Sequence, residues 1–233
     1  MMNFGVLGSD PEITDTVISL LQGFREFNIL LKSDNGFSFV EQLQSLKKIP
    51  DIAIVDLEVK IMDGLSTIHY LHLHFPNIKV LAVSKYSQSL LVIDTLSSGA
   101  YGFICKNNLH ECLETAVSQI NKGKTYLDLQ IDIADFDDLI NRIQKESLLQ
   151  PHPNLNPREM VFLQLVTTSV SYDRIAAIMH VSQDTLYNYQ KSLRRKLGLK
   201  SRQEFMIYAL QTEIAKLARR NICMGLATSI RFP

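Results

Sequence analysis

The sequence predicts two domains of different fold class: an α/β domain with a doubly wound, five-stranded parallel sheet, then an all-α domain of four helices. Three observations support this prediction. The first 122 residues alternate short apolar runs with helical patterns, which is typical of a parallel sheet with helices on both faces. Three prolines then fall within residues 151–157 and interrupt regular structure. Beyond them, short helical segments follow polar residues that can cap a helix.

The α/β domain is predicted from apolar runs of the length of a buried strand. These runs are Asn3–Leu7, Ile29–Lys32, Ile52–Val55, Val80–Val83 and Tyr101–Cys105. Helices are predicted between and after them, near residues 11–23, 38–48, 64–74, 87–97 and 108–121. The first helix has one continuous apolar face, formed by Ile13, Val17, Leu20, Leu21 and Phe24.

The all-α domain is predicted from its capping residues. The four caps are Asn156, Ser171, Ser182 and Ser201, and capping boxes are completed by Glu159 and Glu204. The fourth helix is expected to run through about Arg220. We therefore divide the chain into the α/β domain (1–122), a linker with room for one helix near 135–147 (123–154), the helical domain (155–220) and a tail (221–233).

Composition excludes several classes of protein. No apolar run approaches the roughly 18 residues of a membrane span, and the first residues lack the basic and apolar regions of a secretory signal. The three cysteines have no metal-ligand spacing, which suits the reduced thiols of a cytoplasm. The sequence therefore predicts a cytoplasmic protein with no membrane segment.

Charge is divided unevenly between the two halves of this neutral chain. Residues 1–150 carry 12 Lys/Arg against 19 Asp/Glu, a net charge of −7, whereas residues 151–233 carry 12 against 5, a net charge of +7. A basic module favours a polyanionic partner for the second half. Charge alone does not distinguish such a partner from an ordinary solvated surface.

Polar side chains follow four of the predicted strands. Ser9 and Asp10 follow the first strand, Asp56 the third, Ser84 the fourth and Lys106 the fifth. The carboxyl ends of parallel strands meet at one edge of a sheet, where ligands bind. Carboxylate oxygens suit Mg²⁺, and a lysine can neutralise a phosphoryl group. Because Asp56 ends a buried strand, its carboxylate is a candidate nucleophile.

The third helix of the second domain has an apolar face and a basic face. The predicted inward residues are Leu186, Tyr189, Leu193 and Leu197, and the opposite face holds Asp184, Tyr187, Asn188, Lys191, Arg194 and Arg195. Three capped helices in series with such a third helix predict a helix-turn-helix that enters the major groove of double-stranded DNA. Asn188 can read adenine, and Lys191 can reach guanine or a phosphate.

The segments PDIAIVDLEVKIMDGL, KVLAVSKY and SSGAYGFICKN closely resemble the receiver domain of two-component response regulators, and the whole chain resembles a response regulator of the LuxR/NarL type. The resemblance implies that a sensor histidine kinase phosphorylates Asp56. It also implies an Mg²⁺ site made by the carboxylates of Asp10 and Asp56 and the backbone carbonyl of Glu58. The implied phosphoryl-binding and switch residues are Ser84, Lys106 and Phe103, and the turn that opens the third helix is Asp63-Gly64.

The implied switch controls the assembly of an active homodimer. Phosphorylation would draw Ser84 inward, bury Phe103 and change the surface of helix 4, strand 5 and helix 5, so that a dimer spans two DNA half-sites. No catalytic residue is predicted, and the chain is not expected to be an enzyme. Two alternatives are a phosphorylation-independent receiver that serves as a dimerisation or ligand-sensing module, and an interaction adaptor without DNA binding.

The pocket departs from the receiver pattern at three positions. Ser9 replaces an acidic residue, so we expect weaker binding of Mg²⁺. Lys60 replaces a proline, and Lys85 replaces a small residue. The Lys85 ammonium either substitutes for part of the metal charge or blocks access to the pocket, and the sequence leaves both alternatives open.

The segment SQDTLYNYQKSLRRKLGLKSR resembles the family's DNA-recognition segment. The resemblance places Thr185, Tyr187, Asn188 and Lys191 at the groove. Tyr187 stands for a usual lysine, so the DNA sequence bound by relatives cannot be transferred to this chain. Additional DNA contacts are predicted, mainly with phosphates, for Arg158, Arg194, Arg195, Lys200 and Arg202.

Overall fold

The computed structural model describes residues 1–24, 26–128, 155–168, 170–212 and 214. The chain divides into two compact units, Met1–Gln150 and Pro151–Pro233. The helix predicted near 135–147 and the tail at 221–233 lie outside the described residues, and the proposed domain bounds stay predictions. None of the helices within the described ranges is long and apolar enough to cross a bilayer.

The first unit contains a parallel sheet, as the alternating sequence pattern predicts. Its strands are β1 (Met2–Leu7), β2 (Phe27–Ser33), β3 (Ile52–Asp56), β4 (Lys79–Ser84), β5 (Gly102–Cys105) and β6 (Tyr126–Leu127). The order in the sheet is β2-β1-β3-β4-β5-β6, with every pairing parallel. The α/β fold class is confirmed, and the sheet has one strand more than the five predicted.

The additional strand, β6, lies in the segment that we assigned to the linker. It pairs with Gly102 and Phe103. The buried Asp128 follows it and accepts hydrogen bonds from the backbone N–H of Cys105 at 3.1 Å and from Asn108 Nδ2 at 2.7 Å. A strand of two residues is too short to produce an alternating pattern, so it could not be predicted from the sequence.

Five helices connect the strands or follow them: α1 (Pro11–Leu21), α2 (Gly36–Ser45), α3 (Gly64–His74), α4 (Ser89–Ser97) and α5 (Leu109–Asn121). The side chains of Asp10, Asn35 and Asp63 cap α1, α2 and α3 by accepting backbone N–H groups. Because Asn35 caps α2, this helix begins two residues before the predicted start. The buried face of α5 recurs at helical spacing: Leu109, Cys112, Leu113, Ala116, Val117 and Ile120.

The second unit contains α6 (Pro157–Val166), α7 (Tyr172–Ile178), α8 (Gln183–Leu197) and α9 (Arg202–Gln211). All four predicted caps accept a backbone N–H. Phe162 and Phe205 are fully buried and meet edge to face, with ring centroids 5.6 Å apart.

The fourth helix is described as far as Gln211. Residues 213 and 215–220, which belong to its predicted extent through about Arg220, lie outside the described residues. The Thr212 hydroxyl donates to the Tyr208 carbonyl at 2.7 Å, and the Thr212 N–H donates to the same oxygen.

Candidate functional site

Asp56 lies at the carboxyl end of β3, and its side chain is only 2 % exposed. Its position is fixed from two sides. It pairs in register with Val83, the residue before Ser84, and α3 begins directly against its backbone. A Cβ at Gly64 would lie 2.5 Å from the Asp56 carbonyl oxygen, so this close approach requires glycine.

Lys106 forms an ion pair with Asp56. Its Nζ lies 2.8 Å from Oδ1 and 2.8 Å from Oδ2 of Asp56, and its side chain is 10 % exposed. Burial raises the pKa of Asp56, and the ammonium opposes this effect. Burial by itself would lower the pKa of Lys106, but the carboxylates of Asp56 and Glu58 outweigh it, so the pKa is raised. The arrangement favours a charged lysine beside the candidate nucleophile.

Glu58 is the residue at this edge whose role the sequence analysis missed. We expected its backbone carbonyl alone to contribute, whereas its carboxylate accepts three hydrogen bonds. Oε1 accepts from the Ser84 hydroxyl at 2.5 Å, and Oε2 accepts from the Lys85 N–H at 3.2 Å and lies 2.8 Å from Lys106 Nζ. The sequence signal for this role was the position of Glu58, two residues after Asp56 in the segment that follows β3.

Ser9 and Asp10 follow β1 at the same edge. The Ser9 hydroxyl donates to the Glu58 carbonyl at 3.0 Å. The exposed Asp10 carboxylate accepts from the Glu12 N–H at 3.0 Å, which makes it the cap of α1. Ser9 therefore contacts the pocket through the Glu58 carbonyl, and Asp10 stabilises the first turn of α1.

The remaining pocket predictions concern Phe103, Lys60 and Lys85. Phe103 is fully buried in β5. Lys60 is exposed and forms an isolated backbone bridge with Asn35. The Lys85 ammonium lies 5.0 Å from the centroid of the Tyr86 ring, and the backbone N–H of Lys85 is the group that contacts Glu58. Neither alternative for the Lys85 side chain is supported by a contact with Asp56.

The oxygen donors of the pocket fit the chemistry of Mg²⁺, but part of their capacity is already used. A carboxylate has about four lone-pair positions, so Asp10 and Asp56 retain acceptor capacity beside their present hydrogen bonds. The Glu58 carbonyl also has two lone pairs and accepts from Ser9. Within the described ranges, no cluster of three or more His, Cys, Asp or Glu side chains is arranged to hold a metal ion.

The candidate nucleic-acid interface is the exposed face of α8. Tyr187 is 57 % exposed, and the other exposed residues of this face are Asp184, Asn188, Lys191, Arg194 and Arg195. Leu186 and Leu193 are buried on the opposite face, as predicted, whereas Tyr189 and Leu197 are half-buried. Thr185 is half-buried and Lys200 is exposed beyond the helix.

The turn before α8 fixes its direction. His180 has a φ of 52°, in the left-handed region, and Ser182 caps α8 by accepting from the Thr185 N–H at 3.1 Å. Gln183 Nε2 donates to Asp173 Oδ1 of α7 at 2.8 Å. This geometry holds α7 and α8 as a helix-turn-helix pair.

Glu159 anchors α8 from the interior of the domain. Its side chain is 0 % exposed and lies 2.7 Å from Lys196 Nζ. It also accepts from the Ser192 hydroxyl at 2.7 Å and from the Asn156 N–H at 2.9 Å, the second bond being half of the predicted capping box. The contacts of Glu159 with α8 were not predicted, because they join residues more than 30 positions apart.

Two of the residues predicted to contact phosphates have partners within the domain. Arg202 donates to the carbonyls of Thr168 at 2.9 Å and Val170 at 2.7 Å. Its guanidinium carbon lies 5.0 Å from the centroid of the Tyr172 ring. Arg158 donates to the Tyr189 hydroxyl at 3.1 Å. Arg202 therefore joins the start of α9 to the chain before α7, and its contact with DNA stays a prediction.

Comparison with known families assigns both units. Residues 8–118 match the response regulator receiver domain, and residues 153–209 match the luxR family of bacterial regulatory proteins. The chain belongs to the NarL/LuxR-type two-component response regulators. Its second unit is a LuxR-type helix-turn-helix DNA-binding domain, and the family regulates transcription. Receiver domains generally bind Mg²⁺ for phosphorylation.

Relatives of this response regulator match along most of its length. The oxygen regulatory protein NreC of Staphylococcus epidermidis is 27% identical over 214 residues, which cover 90% of this chain and 97% of NreC. NreC of Staphylococcus aureus is 24% identical over 213 residues, with the same two shares.

Solved structures share the fold at lower identity. RcsB of Salmonella typhimurium has a TM-score of 0.52 at 20% identity, covering 89% of this chain and 97% of RcsB. A structure of two RcsB dimers bound to two parallel DNAs has a TM-score of 0.51 at 20% identity, covering 89% and 96%.

Proposed function

We propose that this response regulator is phosphorylated on Asp56 by a sensor histidine kinase, and that phosphorylation controls its dimerisation and DNA binding. The observation that carries the proposal is the contact at 2.8 Å between the nearly buried Asp56 carboxylate and the Lys106 ammonium at the carboxyl edge of the sheet. In the reaction, an Asp56 oxygen bonds to phosphorus while the bond from phosphorus to the histidine nitrogen of the kinase breaks. The imidazole leaves with the electron pair, and Lys106 compensates the phosphoryl charge.

We further propose that the carboxylates of Asp10 and Asp56 and the carbonyl of Glu58 hold Mg²⁺. When bound, the ion supplies positive charge that stabilises the phosphoryl oxygens. Ser9 contributes a hydroxyl where a carboxylate would add negative charge, so we expect the ion to bind more weakly than in receivers with two acids after β1.

For the DNA-binding domain, we propose that α8 enters the major groove. Thr185, Tyr187, Asn188 and Lys191 would face base edges, because they lie within its first three turns and Tyr187, Asn188 and Lys191 are exposed. Phosphate contacts are proposed for Arg194, Arg195 and Lys200. The structure of RcsB dimers on DNA, which shares this fold, supports the proposal of a dimer on double-stranded DNA. Binding to DNA also favours a cytoplasmic location.

Incubation with acetyl phosphate and Mg²⁺, followed by intact-mass measurement, tests the phosphorylation. We expect one phosphoryl adduct on the wild-type protein and none on Asp56→Asn. An adduct that persists in Asp56→Asn would assign the reaction to another residue. If neither protein forms an adduct, the receiver works without phosphorylation, as a dimerisation or sensing module. The contacts of the Glu58 carboxylate with Ser84 and Lys106 favour this second candidate.

Binding to mixed genomic DNA fragments at several salt concentrations tests the interface. Lys191→Ala should weaken binding by about tenfold and reduce the slope of log affinity against log salt by about 1, because one phosphate or base contact is lost. The exposed receiver residue Lys47 provides the control, and Lys47→Ala should leave both quantities unchanged. Equal effects of the two substitutions, or no binding at any salt concentration, would contradict the proposed interface.

A further inference from the structure

The Glu58 carboxylate contacts the hydrogen-bond donors that an anion attached to Asp56 would need. A phosphoryl group brings three acceptor oxygens to such a site. Three donors converge beside Asp56: the Ser84 hydroxyl, the Lys85 N–H and the Lys106 ammonium. All three already contact the Glu58 carboxylate, at 2.5, 3.2 and 2.8 Å.

We propose that the Glu58 carboxylate occupies the phosphoryl-binding site of the resting receiver. In the absence of phosphate it holds these three donors in place, and it must be displaced before Asp56 is phosphorylated. The inference deepens the proposed function and rests on it for the phosphorylation step. The occupancy itself is a property of the resting receiver.

The Ser84 hydroxyl is fixed from two sides in this arrangement. It donates to Glu58 Oε1 and accepts from the Tyr86 N–H at 3.0 Å. Ser84 is fully buried, and the Glu58 side chain is 24 % exposed. Charge-assisted hydrogen bonds in such a weakly solvated site are stronger than those at the surface. The hydroxyl is therefore already turned towards an anion.

Ser9 supports the same arrangement from the other side of Glu58. Its hydroxyl donates to the Glu58 carbonyl at 3.0 Å. A carboxylate at position 9 has no proton to donate at neutral pH, and it would place a second negative charge near the Glu58 side chain. The serine at position 9 and the glutamate at position 58 thus act together, since the serine orients the residue that occupies the pocket.

Glu58 also shares the ammonium that pairs with the nucleophile Asp56. The Asp56 side chain is 2 % exposed, and both of its oxygens contact the Lys106 ammonium. The same ammonium contacts Glu58 Oε2 at 2.8 Å. Release of Glu58 would free Lys106 and Ser84 together, which are the groups that an incoming phosphodonor needs.

The test uses the full-length wild-type protein, Glu58→Ala, Glu58→Gln and Ser9→Ala, with the exposed Glu114→Gln as the charge-matched control. Hydrogen exchange of the Lys85 amide, without a phosphodonor, measures the occupancy. The labelling rate with acetyl phosphate and Mg²⁺, measured by intact mass, follows the displacement. Ser9→Ala changes no charge, so it separates occupancy from the removal of a nearby negative charge.

We expect the Lys85 amide to exchange about tenfold to a hundredfold faster in Glu58→Ala, because it loses a hydrogen bond to a charged acceptor. A smaller increase in the same direction is expected for Glu58→Gln and Ser9→Ala, and none for Glu114→Gln. Labelling of Asp56 should be about tenfold faster in Glu58→Ala than in the wild type.

Unchanged exchange of the Lys85 amide in Glu58→Ala would overturn the inference, whatever the labelling shows. Faster exchange with labelling no faster than in the wild type would overturn the competition between Glu58 and the phosphoryl group. Faster exchange in variants that all fail to form an adduct would uphold the occupancy and reject the proposed phosphorylation of Asp56. The two proposals therefore fail separately.

Discussion

Two nearly buried carboxylates in the described part of the chain pair with a lysine, and they are held in different ways. Glu159 is fully enclosed and has donors on both oxygens, among them a backbone N–H and the Ser192 hydroxyl. Both oxygens of Asp56 contact the ammonium of Lys106, which Asp56 shares with Glu58, and Oδ1 also accepts from the Glu58 N–H at 3.0 Å. The enclosed Glu159 belongs to the scaffold, whereas the ammonium of Lys106 is divided between two carboxylates and can exchange partners, as a switch requires.

The largest effect is expected from removal of the enclosed carboxylate, Glu159. Glu159→Ala should lower the opening free energy of the DNA-binding domain by about 3–5 kcal/mol, because three hydrogen bonds to a buried charge are lost together. Hydrogen exchange of the slowest amides in α8 measures this energy.

Glu204 provides the matched control, because its carboxylate accepts from the Lys200 N–H at 2.7 Å and from the hydroxyl of Ser201, the cap of α9, at 3.2 Å. Glu204→Ala removes these contacts of a side chain that is only half-buried, so we expect a loss of about 0.5–2 kcal/mol. Equal losses in the two variants would show that Glu159 acts as a cap alone and that its contacts with α8 are unimportant.

The second-largest effect is expected from removal of the Lys106 ammonium, which Asp56 and Glu58 share. Lys106→Met leaves the carboxylates of Asp56 and Glu58 side by side, which should lower the unfolding free energy of the receiver by about 2–4 kcal/mol at pH 7. Without the ammonium, burial and mutual repulsion raise the pKa of Asp56 further. The folded state then binds more protons than the unfolded state, so stability falls as the pH rises, and the loss at pH 5 should be smaller.

Urea unfolding of the full chain at both pH values, followed through amides of β3 and β4, checks this prediction. The double variant Lys106→Met, Glu58→Gln should recover part of the loss at pH 7, because one of the two facing charges is gone. A loss that is the same at pH 5 and pH 7, with no recovery in the double variant, would mean that Lys106 stabilises the receiver by packing.

The same contrast explains how much the sequence could predict. The capping box of Asn156 and Glu159 depends on a spacing of three residues, so it was visible in the sequence and is present in the structure. The proximity of Asp56, Ser84 and Lys106 was predictable because the carboxyl ends of parallel strands lie at the same edge of a sheet. The fold class was predictable for the same reason, since alternating strands and helices leave few topologies.

What the sequence could not predict depends on side-chain direction and on distant partners. The Glu58 carboxylate turns into the pocket because Ser84 and Lys106, 26 and 48 positions away, lie there. Arg202 turns towards the backbone carbonyls of Thr168 and Val170, which precede α7. Neither side-chain direction follows from a local spacing rule. In a sequence pattern, a charged residue on an amphipathic helix is equally compatible with contacts to solvent, to DNA or to the rest of the domain.

A third carboxylate, Asp63, extends the comparison to a helix cap. It caps α3 by accepting from the Ser66 N–H at 2.9 Å, and burial raises its pKa to about 6. Because this folded-state pKa lies above the unfolded value, the stabilising contribution is complete below about pH 4 and is lost as the pH rises through 6. Asp63→Asn keeps the cap and removes the titration.

The difference in unfolding free energy between the wild type and Asp63→Asn should therefore shift by about 1–3 kcal/mol in favour of the variant between pH 4 and pH 7. Urea unfolding across this range measures the shift. Asp10→Asn makes the same substitution at the exposed cap of α1 and is the matched control. A shift of equal size in both variants would mean that the loss of a charged cap, and not the burial of Asp63, sets the pH dependence.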